Sequence, residues 1–313
     1  MTSTAFVFPG QGAQRVGMTD HLLAGRPDLF DTYFRAADGL LGIPLSRLVR
    51  HGPARDLDDP AVAQPAVLLT SLVTLDVLRG HGIGPDAVAG HSLGEYAALV
   101  AAGVLEWTDA LALVRLRGEL VATVNDRVPG ATAAVLGLDG AQVARLCSVA
   151  AGTVEVGGDN APGQTVISGE AAAVAWATAA ALDAGASQVV PLKAGGSFHS
   201  RLLRGIEAEF TEALIATPFH APRVPLVSST TGARITSATE AVVALRSQLT
   251  SPVRWPEAVR ALGAVGTGRF VEAGPGRVLG GLIRRIAPGA RVHATHTARH
   301  LALTVDAFAA AAV

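Results

Sequence analysis

The chain has a single cysteine, Cys147, among 313 residues, and it has few charges and few aromatics. One thiol excludes an internal disulfide framework and any Cys-rich metal site, and it suits a reducing compartment, by default the cytoplasm. Charged residues make up 16% of the chain and the formal net charge is -1, which argues against both disorder and a nucleic-acid partner. The N-terminus "MTSTAFVFPGQG" lacks a basic stretch followed by an apolar one. The longest apolar runs, such as "AVLLTSLVTLDVL", are broken by Thr, Ser or Asp, so neither an export signal nor a membrane span is expected. No fixed-period repeat and no low-complexity linker divides the chain.

Half of the residues are hydrophobic, enough for a substantial core. Glycine-rich turns alternate with Ala/Leu-rich helical patterns and short runs of Val, Ile and Phe, the rhythm of an α/β protein with a parallel sheet. "AFVF" reads as the first strand, ended by Pro9 and Gly10. Residues 65–79 read as an apolar helix, and "AVAG" as a buried strand running into Ser92. From 127 to 196 the order changes. "ATAAVLGL" is a strand, "DGAQVARLCSVAA" a helix opened by Asp139, "TVEVGGDN" and "QTVISG" a strand pair, "EAAAVAWATAAALDAG" a helix closed by Gly185, and "SQVVPLKA" a last strand. That βαββαβ order predicts a ferredoxin-like small subdomain at 127–196, inserted into a larger one built from 1–126 and 197–313. Trp176, in its alanine-rich helix, reads as a packing residue.

Gly90-His91-Ser92-Leu93-Gly94 lies between a buried strand and a helix. Small residues on both sides of a serine in that context permit the sharp turn of a nucleophile elbow. The helix start would direct backbone N–H groups and the positive dipole end at a developing negative charge. A glycine-flanked turn with a capping serine is the plainer alternative. His91 is a tempting base, but neighbours at a strand-to-helix turn diverge, so it is assigned a structural role and the base must come from elsewhere. "TDALALVRLRGELVATV" reads as a helix starting at Thr108 or Asp109, with a buried stripe of Leu113, Val114, position 117, Leu120, Val121 and Val124. Position 117 is Arg. It either meets an anion or snorkels from the edge of the stripe. Arg115 looks like a solvent-facing partner of Glu119.

The elbow, Arg117, "FPGQGAQ" from Phe8, "NAPGQTVISG" from Asn160, "GGSFHS" from Gly195 and "FVEAGPGRVLGGLIRRI" from Phe270 together resemble the malonyl-CoA:acyl carrier protein transacylases. These comprise discrete fatty-acid enzymes and the acyltransferase units of polyketide synthases. The resemblance runs from residue 5 to about 286. It implies an α/β-hydrolase-like large subdomain with a ferredoxin-like insertion, and a ping-pong transfer of malonyl from a CoA thioester to the phosphopantetheine thiol of an acyl carrier protein. No metal or redox cofactor is implied. Ser92 looks like the nucleophile and His199 its base, the latter oriented by a main-chain carbonyl expected at about Ser229, where many relatives have Asn. Gln11 and Leu93 resemble the oxyanion-hole pair through their N–H groups. Arg117 matches the residue that holds the free carboxylate of malonate, and Gln64 a glutamine near the site. Leu93 and Phe198 resemble the malonyl-selecting members. Val121 and Leu203 depart from the family, which often has Met at both places, and could reshape the acyl pocket for a bulkier unit, while the retained Arg117 still implies a dicarboxylic acyl group.

Two other readings use the same fold: a hydrolase that clears stalled acyl chains, and a silent carrier-binding scaffold. The first has no use for Arg117; the second is disfavoured by an intact Ser92, His199 and Gln11. His293, His296 and His300 have metal-like spacing without a Cys or carboxylate among them, and "GPGRVLGG" lacks dinucleotide-site spacing. Arg201, Arg277, Arg284 and Arg285 are the candidates to meet an acidic carrier.

Overall fold

The computed structural model describes residues 3–192 and 196–312. The expected end of the strand "SQVVPLKA" at Lys193–Ala194 and the start of "GGSFHS" at Gly195 lie outside the described residues. The described strands are β1 (Ser3–Phe8), β2 (Ala87–Gly90), β3 (Gly130–Leu136), β4 (Val154–Ala161), β5 (Gln164–Glu170), β6 (Gln188–Pro191), β7 (Leu226–Val227), β8 (Arg234–Ile235), β9 (Val253–Arg254), β10 (Thr267–Glu272) and β11 (Arg291–Ala294).

They form two sheets. The larger has the order β11-β10-β1-β2-β7-β8 and is parallel except for β8, which pairs antiparallel with β7. Its central strands are apolar on both faces, as expected where helices cover a parallel sheet from both sides. Phe6, Phe8, Val88 and Val271 face the helices Pro60–Gly80, Gly94–Ala101 and Trp107–Arg127. Alternate residues Ala5, Val7, Ala87, Ala89 and Phe270 face Trp255, Leu279 and Ile283 on the opposite side.

The smaller sheet runs β6-β3-β5-β4-β9. Strands β3 to β6 with the helices Gly140–Val149 and Ala171–Asp183 give the βαββαβ order, and the first four places of that sheet have the ferredoxin-like arrangement. Asp139 opens its helix with a full capping box, its carboxylate accepting from Gln142 N at 2.7 Å and Gln142 Oε1 accepting from Asp139 N at 3.1 Å. The helices cover one face of the sheet through Val143, Cys147, Val174, Ala177 and Ala181. The fifth strand, β9, comes from far downstream and pairs parallel with β4, Gly158 opposite Val253. The small sheet is thereby tied to the segment that follows the helix Ala238–Gln248.

Several local expectations shift. Trp176 is 44% exposed rather than packed in the core, because the helix Ala171–Asp183 buries Ala173, Val174, Ala177 and Ala181 and turns Trp176 outward. The arginine helix begins at Trp107 after Glu106, earlier than Thr108 or Asp109. The apolar helix is longer than read, Pro60–Gly80, with Asp59 capping it and Pro60 at its first turn. That helix is long and apolar enough to cross a membrane by length and composition, yet nearly all of it is buried in the core of this fold.

Candidate active site

The site is assembled where β1, β2 and β7 end, at the carboxyl edge of the parallel sheet, the usual place for ligands in such folds. The loop after β1 carries Gln11, the turn after β2 carries Ser92, and the turn after β7 carries Ser229. Ser92 has φ 53°, a left-handed conformation that costs a side-chain-bearing residue about 1–2 kcal/mol. The residues two places to either side must be glycine. A Cβ on Gly90 would lie 1.9 Å from the Gly94 carbonyl carbon, and one on Gly94 would lie 2.1 Å from Phe8 O. The strand, turn and helix therefore meet as an elbow, with Ser92 at its apex and Leu93 at the N-terminus of the helix Gly94–Ala101.

His199, also at positive φ (58°), reaches the serine from 107 residues downstream. Its Nε2 lies 2.6 Å from Ser92 Oγ. Its Nδ1 faces two main-chain carbonyls, Gln248 O at 2.9 Å and Ser251 O at 3.0 Å. Carbonyls only accept, so the proton sits on Nδ1 and Nε2 presents its lone pair to the serine hydroxyl. Ser229 does not supply this contact, contrary to expectation. Its carbonyl accepts from Arg254 N at 2.6 Å, within the segment that forms β9. The orienting oxygen is instead at the C-terminal end of Ala238–Gln248, where helix carbonyls lack intrahelical partners and are available to a side chain. Burial, then the charges of Arg117 and His91, lower the His199 pKa to about 3 against the opposing pull of the carbonyls. The imidazole is therefore a neutral acceptor at neutral pH.

His91, adjacent to the serine, turns away from it. Its Nε2 donates to Asn160 Oδ1 at 2.8 Å and its ring stands edge-on to Trp255, with centroids 5.3 Å apart.

Arg117 is 1% exposed. Its Nη1 donates to Gln64 Oε1 at 2.9 Å, and its guanidinium carbon lies 5.3 Å from the centre of the Phe198 ring. Gln64 is itself fully buried, and Phe198 nearly so. Nε and Nη2 of Arg117 have no hydrogen-bond partner, and no ion pair among the described residues involves this side chain. Burial lowers its pKa against the opposing pull of Tyr96 and Glu95. Arg115 does more than pair with Glu119 at 2.6 Å, since its Nη1 also donates to Ala61 O at 2.8 Å and so pins the two long helices together.

A cavity of about 90 Å³ is lined by Gln11, Ser92, Arg117, Phe198 and His199, with Asn160 and Leu192 from the small sheet side. Leu203, one of the positions that departs from the family, is fully buried, as is Val121. Among the described residues, no group of three or more His, Cys, Asp and Glu side chains is placed to hold a metal ion. The rings of His296 and His300 lie tilted with centroids 4.3 Å apart, and His293 lies against Phe308. Arg201, Arg277, Arg284 and Arg285 are all exposed. Arg201 is engaged by Glu155, while Arg285 reaches Gln164 and the carbonyl of Pro162.

The sequence reading did not pick out Gln248, Ser251 or Glu95. The first two act on His199 through main-chain oxygens, which any residue type supplies, so no sequence signal marks them. Glu95 did leave a signal: an acid in a helix that is otherwise apolar nearly all round needs a polar partner inside the fold.

A parallel α/β sheet with an elbow serine hydrogen-bonded to a histidine, beside an unpaired buried arginine, defines the Ser–His class of acyl-transfer proteins. The chain belongs to the acyl transferase domain family, which it matches over residues 5–287. It is 40% identical over 292 residues to the malonyl CoA-acyl carrier protein transacylase of Bacillus subtilis (strain 168), covering 91% of each chain. The crystal structure of a malonyl-CoA:acyl carrier protein transacylase from Xanthomonas oryzae pv. oryzae superposes with a TM-score of 0.93 at 38% identity, covering 98% of both chains. A malonyl-transacylase solved in complex with its type II PKS acyl-carrier protein gives a TM-score of 0.91 at 36% identity, over 97% of this chain and 99% of that one.

Proposed function

We propose that the protein transfers a malonyl group from malonyl-CoA to the phosphopantetheine thiol of an acyl carrier protein, through an ester on Ser92. The observation that carries this reading is Arg117. A buried guanidinium with two unpaired N–H-bearing nitrogens, lining the same small cavity as Ser92, is costly unless an anion completes it. Its fork suits a carboxylate, and malonyl presents one. An acyl chain without a second carboxylate leaves that cost unrelieved, which speaks against a hydrolase for stalled chains. Gln64 fixes the orientation of the fork, and the Phe198 ring packs on its face.

In the first half-reaction Ser92 Oγ attacks the thioester carbon while its proton passes to His199 Nε2. The N–H groups of Leu93 and Gln11 receive the oxyanion, Leu93 from the first turn of its helix where the amide has no intrahelical carbonyl. The C–S bond breaks, the departing CoA sulfur takes the proton from His199, and malonyl-Ser92 remains. In the second half the carrier thiol gives its proton to His199 and attacks the ester, and Ser92 recovers its hydrogen. Atoms and charge balance without a metal or a redox group. The insertion at 127–196 contributes one wall of the cavity, and a lone reduced thiol fits a soluble cytoplasmic enzyme. Relatives from both fatty-acid and polyketide assembly leave either carrier within reach of this chemistry.

The test is a steady-state assay of CoA release from malonyl-CoA with and without a holo acyl carrier protein. Release that depends on the carrier and appears as malonyl-carrier is the expected result. Release of free malonate at the same rate in its absence would overturn the transferase reading.

A further inference from the structure

Beneath the elbow lies a carboxyl group that the acyl transfer itself does not use. Glu95 is fully buried, and among the described residues no ion pair involves it. Its Oε2 accepts three hydrogen bonds: from Ser229 N at 3.2 Å, from Ser229 Oγ at 3.1 Å and from Gln248 Nε2 at 3.2 Å. Both donor residues also contact the dyad. Ser229 Oγ accepts from Ser92 N at 3.2 Å, Gln248 Nε2 donates to Ser92 O at 3.2 Å, and Gln248 O accepts from His199 Nδ1 at 2.9 Å.

We propose that Glu95 is a positioning residue: its carboxylate ties the main chain of Ser92 on one side to the carbonyl that orients His199 on the other, so that nucleophile and base are held in one hydrogen-bonded frame. This rests on the reading of Ser92 and His199 as the reacting pair. A neutral acceptor of the same shape would keep the frame's outline but weaken it, since hydrogen bonds to an ionised oxygen are about twice as strong. Ser92 needs such support because its φ of 53° is not held by local preference.

The titratable and charged groups that act on Glu95 are Tyr96 on its own helix and Arg117 on the helix Trp107–Arg127, and His199 is joined to it through Gln248. Burial raises the Glu95 carboxyl to about 7 against the hydrogen bonds of Ser228, Ser229 and Gln248, whereas burial drives His199 far the other way. Of the two, only Glu95 changes charge across the neutral range. The frame is therefore at full strength above pH 7 and loses its charge below it.

The experiment follows the rate at which phenylmethanesulfonyl fluoride sulfonylates Ser92, measured below, at and above pH 7, in the wild type and in Glu95→Gln. The wild-type rate is expected to rise with a midpoint near 7. The variant should be about tenfold slower above that midpoint and show no rise. Ser229→Ala keeps the carboxylate but cuts its link to Ser92 N; it should slow the reaction while retaining the rise, and it serves alone if Glu95→Gln does not fold. Wild-type rate and profile in either variant overturns the proposal. The reagent carries neither malonyl nor CoA, so failure of the malonyl reading leaves this comparison intact, while an unreactive wild-type Ser92 counts against the dyad itself.

Discussion

Arg117 is the residue at which composition, burial and chemistry converge. Its place in the apolar stripe was readable because a guanidinium interrupts a period of three and four; the choice between snorkelling and anion binding was not. The structure excludes snorkelling, since the side chain is 1% exposed, and the unpartnered Nε and Nη2 support the proposed carboxylate. Arg117→Ala should therefore reduce malonyl loading roughly thirty-fold or more, about 2 kcal/mol for truncating one partner of a buried charge pair, while acetyl loading is spared or rises. Parallel loading assays with malonyl-CoA and acetyl-CoA check this, and equal losses for the two would remove Arg117 from the carboxylate's surroundings. His199 makes a second prediction at the same scale. With its pKa lowered to about 3, its ring signals in a pH titration followed by NMR should remain those of neutral imidazole well below 6.5; a transition near 6.5 would show the ring to be solvated and the tautomer argument void. The proposed nucleophile was legible in five residues, Gly90 to Gly94. Its orienting carbonyls were not, because a backbone oxygen has no identity in sequence, and the expectation at Ser229 fell to a carbonyl already paired in the approach to β9.

At the level of elements, the proposed carboxylate site depends on how closely two long helices approach. Gly118 sits where Trp107–Arg127 crosses the start of Pro60–Gly80, and a Cβ there would lie 2.5 Å from Pro60 O and 2.7 Å from Ala61 Cα. Backbone cannot yield cheaply, so Gly118→Ala should push the helices apart at a cost of about 1–3 kcal/mol. The displaced helix carries Arg117 away from Gln64, which holds it at 2.9 Å. A lower melting temperature combined with a selective loss of malonyl over acetyl loading is the expected pair of results; a stability loss with unchanged acyl preference would mean that the clamp does not depend on this crossing. The helices themselves were visible as apolar periodicities. Their ends were less so: Glu106 and Asp59 precede the observed starts, which come one or two residues before the expected start in one helix and five before it in the other, because the first turn of each is polar or contains proline. Trp176 shows the complementary error, a large apolar side chain assigned to the core by type although alanines fill that face.

For the whole molecule, the βαββαβ order was legible from alternating strand and helix patterns, but β9 was not, being two residues long and paired in another sheet. That short strand fixes the segment after Gln248 and Ser251 to β4, which explains how both sheets share in placing one histidine. Two buried groups also make global stability respond to pH in opposite senses. His199, with its pKa depressed in the fold, contributes stability that is present above 6.5 and lost as pH falls toward 3. Glu95, with its pKa raised, contributes stability that is present below 4.5 and lost as pH rises through about 7. Between 7 and 4.5 the two partly cancel, so Glu95→Gln should lose stability on acidification more steeply than the wild type in denaturant melts; parallel curves would show that the carboxyl is not neutralised by folding. Passage of a malonyl group through Ser92 is measured by intact-protein and peptide mass after mixing with malonyl-CoA. One malonyl adduct per chain is expected on the Ser92 peptide, absent in Ser92→Ala and discharged by a holo acyl carrier protein. An adduct that persists in Ser92→Ala, or none in the wild type, contradicts it.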